Sequence, residues 1–322
     1  MKNMKRYRSL DSWLRARHGE KVQKIPLDAG SGCPNRDGTL AAGGCTFCNA
    51  LGSGSGRARE SFAAQWDYWR GRHARSPRTK NVRLFLGYIQ SFTNTYGPSS
   101  RLASLLAELE GLPGLAGASV GTRPDCVDEE KMALMAAAPW PEFWLELGAQ
   151  SCRDSTLRRI NRGHRAADTE HAVRLAAHHG VHVCLHLMAG LPGESGEDFL
   201  NTVRWAASLP IQGVKLHNLY VPRGTALEQE WTRGDYRPLE QEEYVKLAAR
   251  ALTLLPSTVV MHRLCADPAP GELAAPAWAM DKGITVMHID RLLAYNDWWQ
   301  GKACDAPDTN PFAQEAGADK PR

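Results

Sequence analysis

Three of the chain's eight cysteines fall in one short stretch, GCPNRDGTLAAGGCTFCN, residues 32–49. Eleven residues separate Cys33 from Cys45, and only Thr46 and Phe47 separate Cys45 from Cys48. Three thiolates are an odd number for disulfides. They are also one short of the four ligands that close a structural zinc site, and no histidine lies between residues 33 and 48 to complete it. A redox dithiol would use Cys45 and Cys48 and leave Cys33 idle. A [4Fe–4S] cube held by three thiolates keeps one iron open for a substrate or cofactor, and soft thiolates favour such clusters. Spacing alone ranks the open cluster first, zinc with a fourth ligand from elsewhere second, and a dithiol or incidental thiols last.

The whole chain constrains the chemistry. Its 322 residues suffice for one large or two ordinary domains. The composition, 43% hydrophobic and 23% charged, is that of a globular protein rather than a disordered or fibrous one. No apolar run approaches the roughly 18–20 residues that span a bilayer, and the start MKNMKRYRSLDSWL is basic without a secretion signal's apolar core. The expectation is a cytoplasmic protein with no membrane partner, in a compartment that keeps thiols reduced. The net charge of +4 is unevenly spread: residues 1–83 hold 17 Lys/Arg against 6 Asp/Glu, leaving the remainder at −7. A basic N-terminal third suits a phosphate backbone and equally suits a solvated surface.

Positioning such residues requires a scaffold, and apolar runs alternating with helical periodicity describe one. Strands are expected at 24–30, 82–90, 117–123, 143–150, 181–190, 213–221 and 258–266. Helical patterns intervene at 99–112, 128–138, 168–180, 197–209 and 242–255. Repeated strand–helix steps with near-continuous apolar strands indicate an α/β architecture with a buried parallel sheet, as a β/α barrel or a doubly wound sheet. Both bind ligands at the carboxyl ends of the strands. There the polar residues collect: Cys33, Gln90, Arg123, Asp125, Cys126, Gln150, Ser151, Cys152, the GLPGE turn and Cys265. Residues 52–56, GSGSG, read as a flexible loop and a candidate anion nest, and ACDAPDTNPFAQEAGADKPR (303–322) as a frayed tail.

A Cys–aromatic–Cys pair preceded by a third cysteine after the first strand resembles the radical S-adenosylmethionine superfamily. The usual first gap there is three residues; long gaps occur in the branch of the Elongator catalytic subunit and its bacterial relatives. CPNRDGT…GGCTFCN, VGTRPDCV, WLELGAQ, INRGH, GLPGE and GVKLH, in that order across residues 8–265, are similar to the bacterial YhcC/YtqA-like proteins. The resemblance implies a partial (β/α)6-type TIM barrel over 24–266. A basic N-terminal helix or extension (1–23) would precede it, and a C-terminal cover with the frayed tail (267–322) would follow. It further implies that Cys33, Cys45 and Cys48 ligate a [4Fe–4S] cluster whose fourth iron binds S-adenosylmethionine. Phe47 would shield the cluster, Gln150 contact the ribose, Arg162 pair with the methionyl carboxylate, and Gly190, Leu191, Pro192 and Gly193 lie against adenine. Gln90 and Arg123 join these cofactor candidates at strand ends. His186 stands where related barrels place a ribose-binding acid. The Gly-Gly-Glu-type segment is replaced by YIQSFTNT, which offers Gln90, Ser91 and Thr93 to the methionyl amino group. Cys126 is the candidate catalytic thiol; Cys152 and Cys184 read as buried and inert. The implied chemistry is hydrogen abstraction by a 5′-deoxyadenosyl radical, with a flavodoxin- or ferredoxin-like reductant and tRNA wobble uridine as the substrate. A small-metabolite substrate and a zinc-stabilised binding module are the rivals.

Overall fold

The computed structural model describes residues 5–50, 52, 54, 56–304 and 310–313. The 52–56 loop lies partly outside them and the frayed tail largely so. Strands are β1 (Val22–Leu27), β2 (Leu84–Ile89), β3 (Leu115–Thr122), β4 (Glu142–Gln150), β5 (His182–Ala189), β6 (Gly213–Asn218), β7 (Val221–Pro222), β8 (Val260–Arg263) and β9 (Leu273–Ala275). Helices are α1 (Leu10–His18), α2 (Phe62–Arg75), α3 (Ser99–Leu109), α4 (Glu129–Ala136), α5 (Asp154–Arg159), α6 (Ala166–His178), α7 (Gly196–Ala207), α8 (Ala226–Arg233), α9 (Gln241–Thr253) and α10 (Lys282–Tyr295).

β1 through β6 lie side by side in chain order, with β8 added beyond β6, and every pairing is parallel. The six-stranded core is therefore extended by one strand. β4, at its centre, is buried along all nine residues, which explains its apolar sequence. The sheet is curled. Lys24 on β1 and Lys215 on β6 both bond the Glu146 carboxylate on β4. In a flat sheet β1 would stand about 14 Å from β4, three spacings of about 4.8 Å. The convex face packs against the helices as the main apolar core. β7 and β9 form a small antiparallel ribbon beyond β6.

The lower end of the barrel, at the amino ends of the strands, is plugged by α1. Ser9 caps this helix through a hydrogen bond from Ser12 N, and Gly19 ends it at φ 73°. Its Leu10, Trp13 and Leu14 pack with Val22, Leu86, Trp144, Cys184 and Val260. Ser9 also forms a parallel bridge with Met261 of β8, so the N-terminal segment spans the gap between the edge strands. At the C-terminus α10 lies along α9. Neither α2, α8 nor α10 has a counterpart among the expected elements.

Candidate functional site: the cysteine loop at the barrel mouth

The eleven-residue gap between Cys33 and Cys45 folds back on itself. Arg36 N donates to Cys33 O at 2.9 Å, Leu40 N to Pro34 O at 2.8 Å, and Gly44 N to Asn35 O at 2.8 Å. Asp37 and Ala42 form an antiparallel bridge. The excursion closes at its base, so a long gap returns Cys45 to Cys33 as a short one would. The Cys48 thiol is pushed up by burial and by the neighbouring Cys45 and Cys33 sulfurs, with Arg36 opposing. Cys33, Cys45 and Cys48 are free thiols.

The loop is tied to the INRGH turn after α5. Thr46 N donates to Ile160 O at 3.1 Å, Asn161 Nδ2 to Gly44 O at 2.7 Å, and Asn35 Nδ2 to Asn161 O at 2.5 Å. Three donors face the sulfurs. Arg162 Nη1 is 3.4 Å and Asn35 Nδ2 3.7 Å from Cys45 Sγ, and Arg36 Nη1 is 3.5 Å from Cys48 Sγ. Such donors favour thiolate over thiol. Arg162 also donates from Nη2 to Gly148 O at 2.7 Å and from Nε to His164 Nε2 at 3.0 Å. Burial and Arg162 push His164 down to about 3, so it stays a neutral acceptor. Arg123 holds the turn from behind. Its guanidinium grips Asp125 at 2.9 and 2.8 Å and donates to Arg162 O at 2.7 Å.

Two glycines make the cradle. A Cβ on Gly148 would stand 2.5 Å from Arg162 Nη2 and 2.9 Å from Gln150 Nε2. On Gly163, at φ +76°, it would stand 2.4 Å from Asn35 Oδ1. Above them Gln150 ends β4 at φ 68°, a strained conformation for glutamine, and its buried Oε1 has no partner among the described residues. The same holds for Ser91 Oγ and Thr93 Oγ1 in the YIQSFTNT segment. Buried oxygens left unpaired at a strained mouth fit a polar ligand that bonds them.

The other expected residues divide in two. Phe47 packs in one apolar cluster with Leu191, Ile160 and Leu227, so it reaches the GLPGE turn. Leu191 and Pro192 are buried there, Gly190 (φ 84°) and Gly193 (φ 80°) shape the turn, and Tyr236 Oη donates to Gly190 O at 2.8 Å. This turn and Glu194, Tyr236 and Leu239 line a cavity of about 430 Å³. Gln90 sits at the end of β2 with its N–H on Leu27 O at 3.1 Å. Burial and Asp125 push the Cys126 thiol up to about 12, so it is an S–H group at neutral pH. His186, in contrast, lies below the mouth, where its Nε2 is 2.9 Å from Glu146 Oε2.

His186 belongs to a charged layer that sequence reading missed. Glu146 is fully buried and meets Lys24 Nζ at 2.7 Å, the Lys215 ammonium and His186. Both lysines lie over the Tyr88 ring, 4.5 and 4.2 Å from its centroid. A signal existed: β1, β4, β5, β6 and β8 each carry an ionisable residue within an otherwise apolar run. Cys152 and Cys184 are held away from this chemistry: the first, half-buried rather than buried as expected because it sits in the turn after β4, accepts from Thr202 Oγ1 at 3.4 Å, and the second lies buried in the apolar plug.

No group of three or more His, Cys, Asp or Glu among the described residues is arranged to hold a single metal ion. A cubane cluster places its thiolates on separate irons and does not need that convergence. The donor set fits a cluster: three free thiols on one loop, with guanidinium and amide donors toward the Cys45 and Cys48 sulfurs.

Residues 29–206 match the family described as the Radical SAM superfamily, and residues 211–294 the Radical_SAM C-terminal domain. Protein YhcC of Escherichia coli K12 is 35% identical over 283 residues, 87% of this chain and 90% of that one. A tRNA uridine(34) acetyltransferase of Dehalococcoides mccartyi is 33% identical over 154 residues, 47% of this chain and 33% of that enzyme. Among solved structures, archaeal Methanocaldococcus infernus Elp3 superposes with a TM-score of 0.63 at 18% identity, covering 87% of this chain and 64% of that one. No described helix is long and apolar enough to cross a membrane. With a curled parallel half-barrel and a cysteine triplet at its mouth, the chain belongs to the radical S-adenosylmethionine superfamily.

Proposed function

We propose that this protein is a radical enzyme in which Cys33, Cys45 and Cys48 each hold one iron of a [4Fe–4S] cluster and S-adenosylmethionine takes the fourth. The observation that carries the reading is the folded-back loop, which brings the Cys33 backbone back toward Cys45 and sets Cys45 and Cys48 under the Arg36, Asn35 and Arg162 donors. When bound, the cluster and cofactor supply a 5′-deoxyadenosyl radical that takes a hydrogen atom from an unactivated C–H bond. The chain's own residues do the positioning. Arg162 and Arg36 offset thiolate charge, and Gln150, Ser91 and Thr93 offer unpaired oxygens to the cofactor's polar groups. Phe47 and Leu191 wall the cluster side with apolar surface and help keep water out. A flavodoxin- or ferredoxin-like protein supplies the electron.

The substrate in this reading is tRNA at the wobble uridine. Support comes from the stretch shared with the tRNA uridine(34) acetyltransferase and from the +11 charge of residues 1–83. Anaerobic purification with iron, sulfide and zinc analysis tests the class. About four irons per chain, a brown chromophore lost in Cys33→Ala, and 5′-deoxyadenosine formed with reductant are expected. Zinc without iron, or a chromophore that survives Cys33→Ala, sinks it. For the substrate, affinity for unmodified tRNA is expected to fall steeply as salt rises; binding no tighter than that of a neutral barrel protein removes the RNA reading.

A further inference from the structure

We propose that the charged layer on the barrel floor binds an oxyanion, a carboxylate or phosphate carried at the end of the substrate. This rests on the reading above that the radical chemistry takes place at the cysteine-lined mouth, and it assigns the deepest group to a small co-substrate or a substrate side arm rather than to a backbone phosphate of tRNA.

The floor has more positive than negative charge. β5 and β6 place His186 beside Lys215 on the face of Glu146, and a bulge in the β6–β8 pairing brings Arg263 opposite Lys215 next to His262, which faces Glu146. Lys24, Lys215 and Arg263 are therefore set against one carboxylate. Glu146 is saturated, since Lys24, Lys215 and His186 already bond its two oxygens. Among the described residues Arg263 has neither a carboxylate at ion-pair distance nor a hydrogen bond, although its charge is felt by Tyr88, His186, Lys215 and His217. Next to it, His217 Nε2 is buried without a partner, its ring 5.4 Å from that of His186. A guanidinium fork and an imidazole N–H with nothing to bond are a recognition set for an oxyanion. Arg263 is half-buried and burial pushes Lys215 down to about 7, so an anion here would pair the first and hold the second in its charged form.

Access runs from one side only. Lys24 keeps 23% and His186 16% of their side-chain surface exposed. Below them Trp13, Trp144, Cys184 and Val260 seal the barrel. Gly148, the next inward position above Glu146 on β4, adds no side chain of its own, and the Arg162 and Gln150 side chains occupy that place, so a substrate arm passes beside them. A group at the end of a substrate arm fits such a closed shaft, whereas an internal backbone phosphate would have to bring its flanking chain with it.

The test follows the thermal midpoint of the full chain, purified without oxygen, as acetate or inorganic phosphate replaces chloride at constant ionic strength. Binding to the folded state raises the midpoint in a saturable way. Wild type is expected to respond. Arg263→Gln should weaken the response at least tenfold, Lys24→Met should do likewise should the first variant fail to fold, and Arg17→Gln on the underside should leave it intact. A response to acetate alone assigns a carboxylate, and to phosphate alone a phosphate. No response in wild type beyond chloride, or an undiminished one in Arg263→Gln and Lys24→Met, overturns the site. The readout needs no turnover. An Arg263-dependent shift in a protein that forms no 5′-deoxyadenosine would keep the site and sink the enzyme reading, and the reverse would sink only the site.

Discussion

At the lower end of the barrel, Glu142 gathers Trp13 Nε1 at 3.0 Å, Trp144 Nε1 at 2.5 Å and the Arg17 guanidinium at 2.9 Å. Unpaired atoms are denser at the mouth: Asn35 Oδ1, Thr46 Oγ1, Ser91 Oγ, Thr93 Oγ1, Gln150 Oε1 and Glu194 Oε2 are buried with no hydrogen-bond partner among the described residues, whereas at the lower end the His262 ring nitrogens and Glu142 Oε2, which meets Arg17 as an ion pair, are the counterparts. The backbone shows the same contrast. Of the four described non-glycine residues with positive φ, Phe92, Gln150 and Asn161 belong to the mouth, and only Asp297 lies elsewhere. Strain and unpaired atoms persist only where their surroundings over-determine them. In this fold the plugged half and the Glu146 layer supply that rigidity. The difference teaches where binding energy for the cofactor is to be found: at the end of the barrel where strained backbone and unpaired oxygens gather.

The severest way to break the contrast is to remove the charge at the centre of the lower half. Glu146→Gln would leave Lys24 and Lys215 buried without a counter-ion. Breaking a buried pair in this way costs about 3–5 kcal/mol. Urea unfolding should show a loss of that size. A loss under about 1 kcal/mol would mean that the lysines repair themselves with water, and that the layer does not brace the fold.

At the mouth the corresponding experiment spares stability and strikes binding. Gly148→Ala puts a methyl 2.5 Å from Arg162 Nη2 and 2.9 Å from Gln150 Nε2, so both side chains must move. Affinity for S-adenosylmethionine, measured by equilibrium dialysis on the cluster-loaded protein, is expected to fall about a hundredfold, near 2.7 kcal/mol. The thermal midpoint should move far less than in Glu146→Gln. Unchanged affinity would show that Arg162 and Gln150 do not touch the cofactor.

The sequence alone reveals much of one half of this contrast and little of the other. Mostly apolar runs of 7–10 residues marked all seven strands of the parallel sheet, which are 4–9 residues long, because burial on both faces leaves a hydrophobic signature. The cysteine triplet was legible because thiols at that spacing have few other uses. The floor was not, since a lone Lys, Glu or His in a strand looks like a solvent-facing position until curvature brings five strands around one carboxylate. Arg123 and Arg162 stood out by type, but not by partner. That Arg123 grips Asp125 and the Arg162 carbonyl, and that Arg162 faces a sulfur, follows from a tertiary packing that local pattern does not encode. α2 escaped detection because only Phe62, Gln65 and Trp66 of its 14 residues are buried, too narrow a stripe to read as helical periodicity.

A finer probe uses acid. His262 faces Glu146 with its Nδ1 3.8 Å from Oε1, and burial pushes its pKa down to about 3 against an ordinary value of 6.5. Between those values the unfolded chain takes up a proton that the folded one refuses. The free energy of unfolding therefore falls as pH falls through 6.5, and the histidine's contribution is complete only above it. The slope is at most about 1.4 kcal/mol per pH unit for each such group. His186, pushed down to about 4 by burial and Lys215, adds to the same trend. Urea midpoints at pH 7.5, 6.5 and 5.5 should decline for the wild type, and His262→Gln should decline less steeply by up to that amount. Parallel slopes would mean that His262 is protonated in the fold with Glu146 as its partner. The surplus positive charge on the floor would then be larger still, and Arg263 and Lys215 would need an anion even in the resting protein.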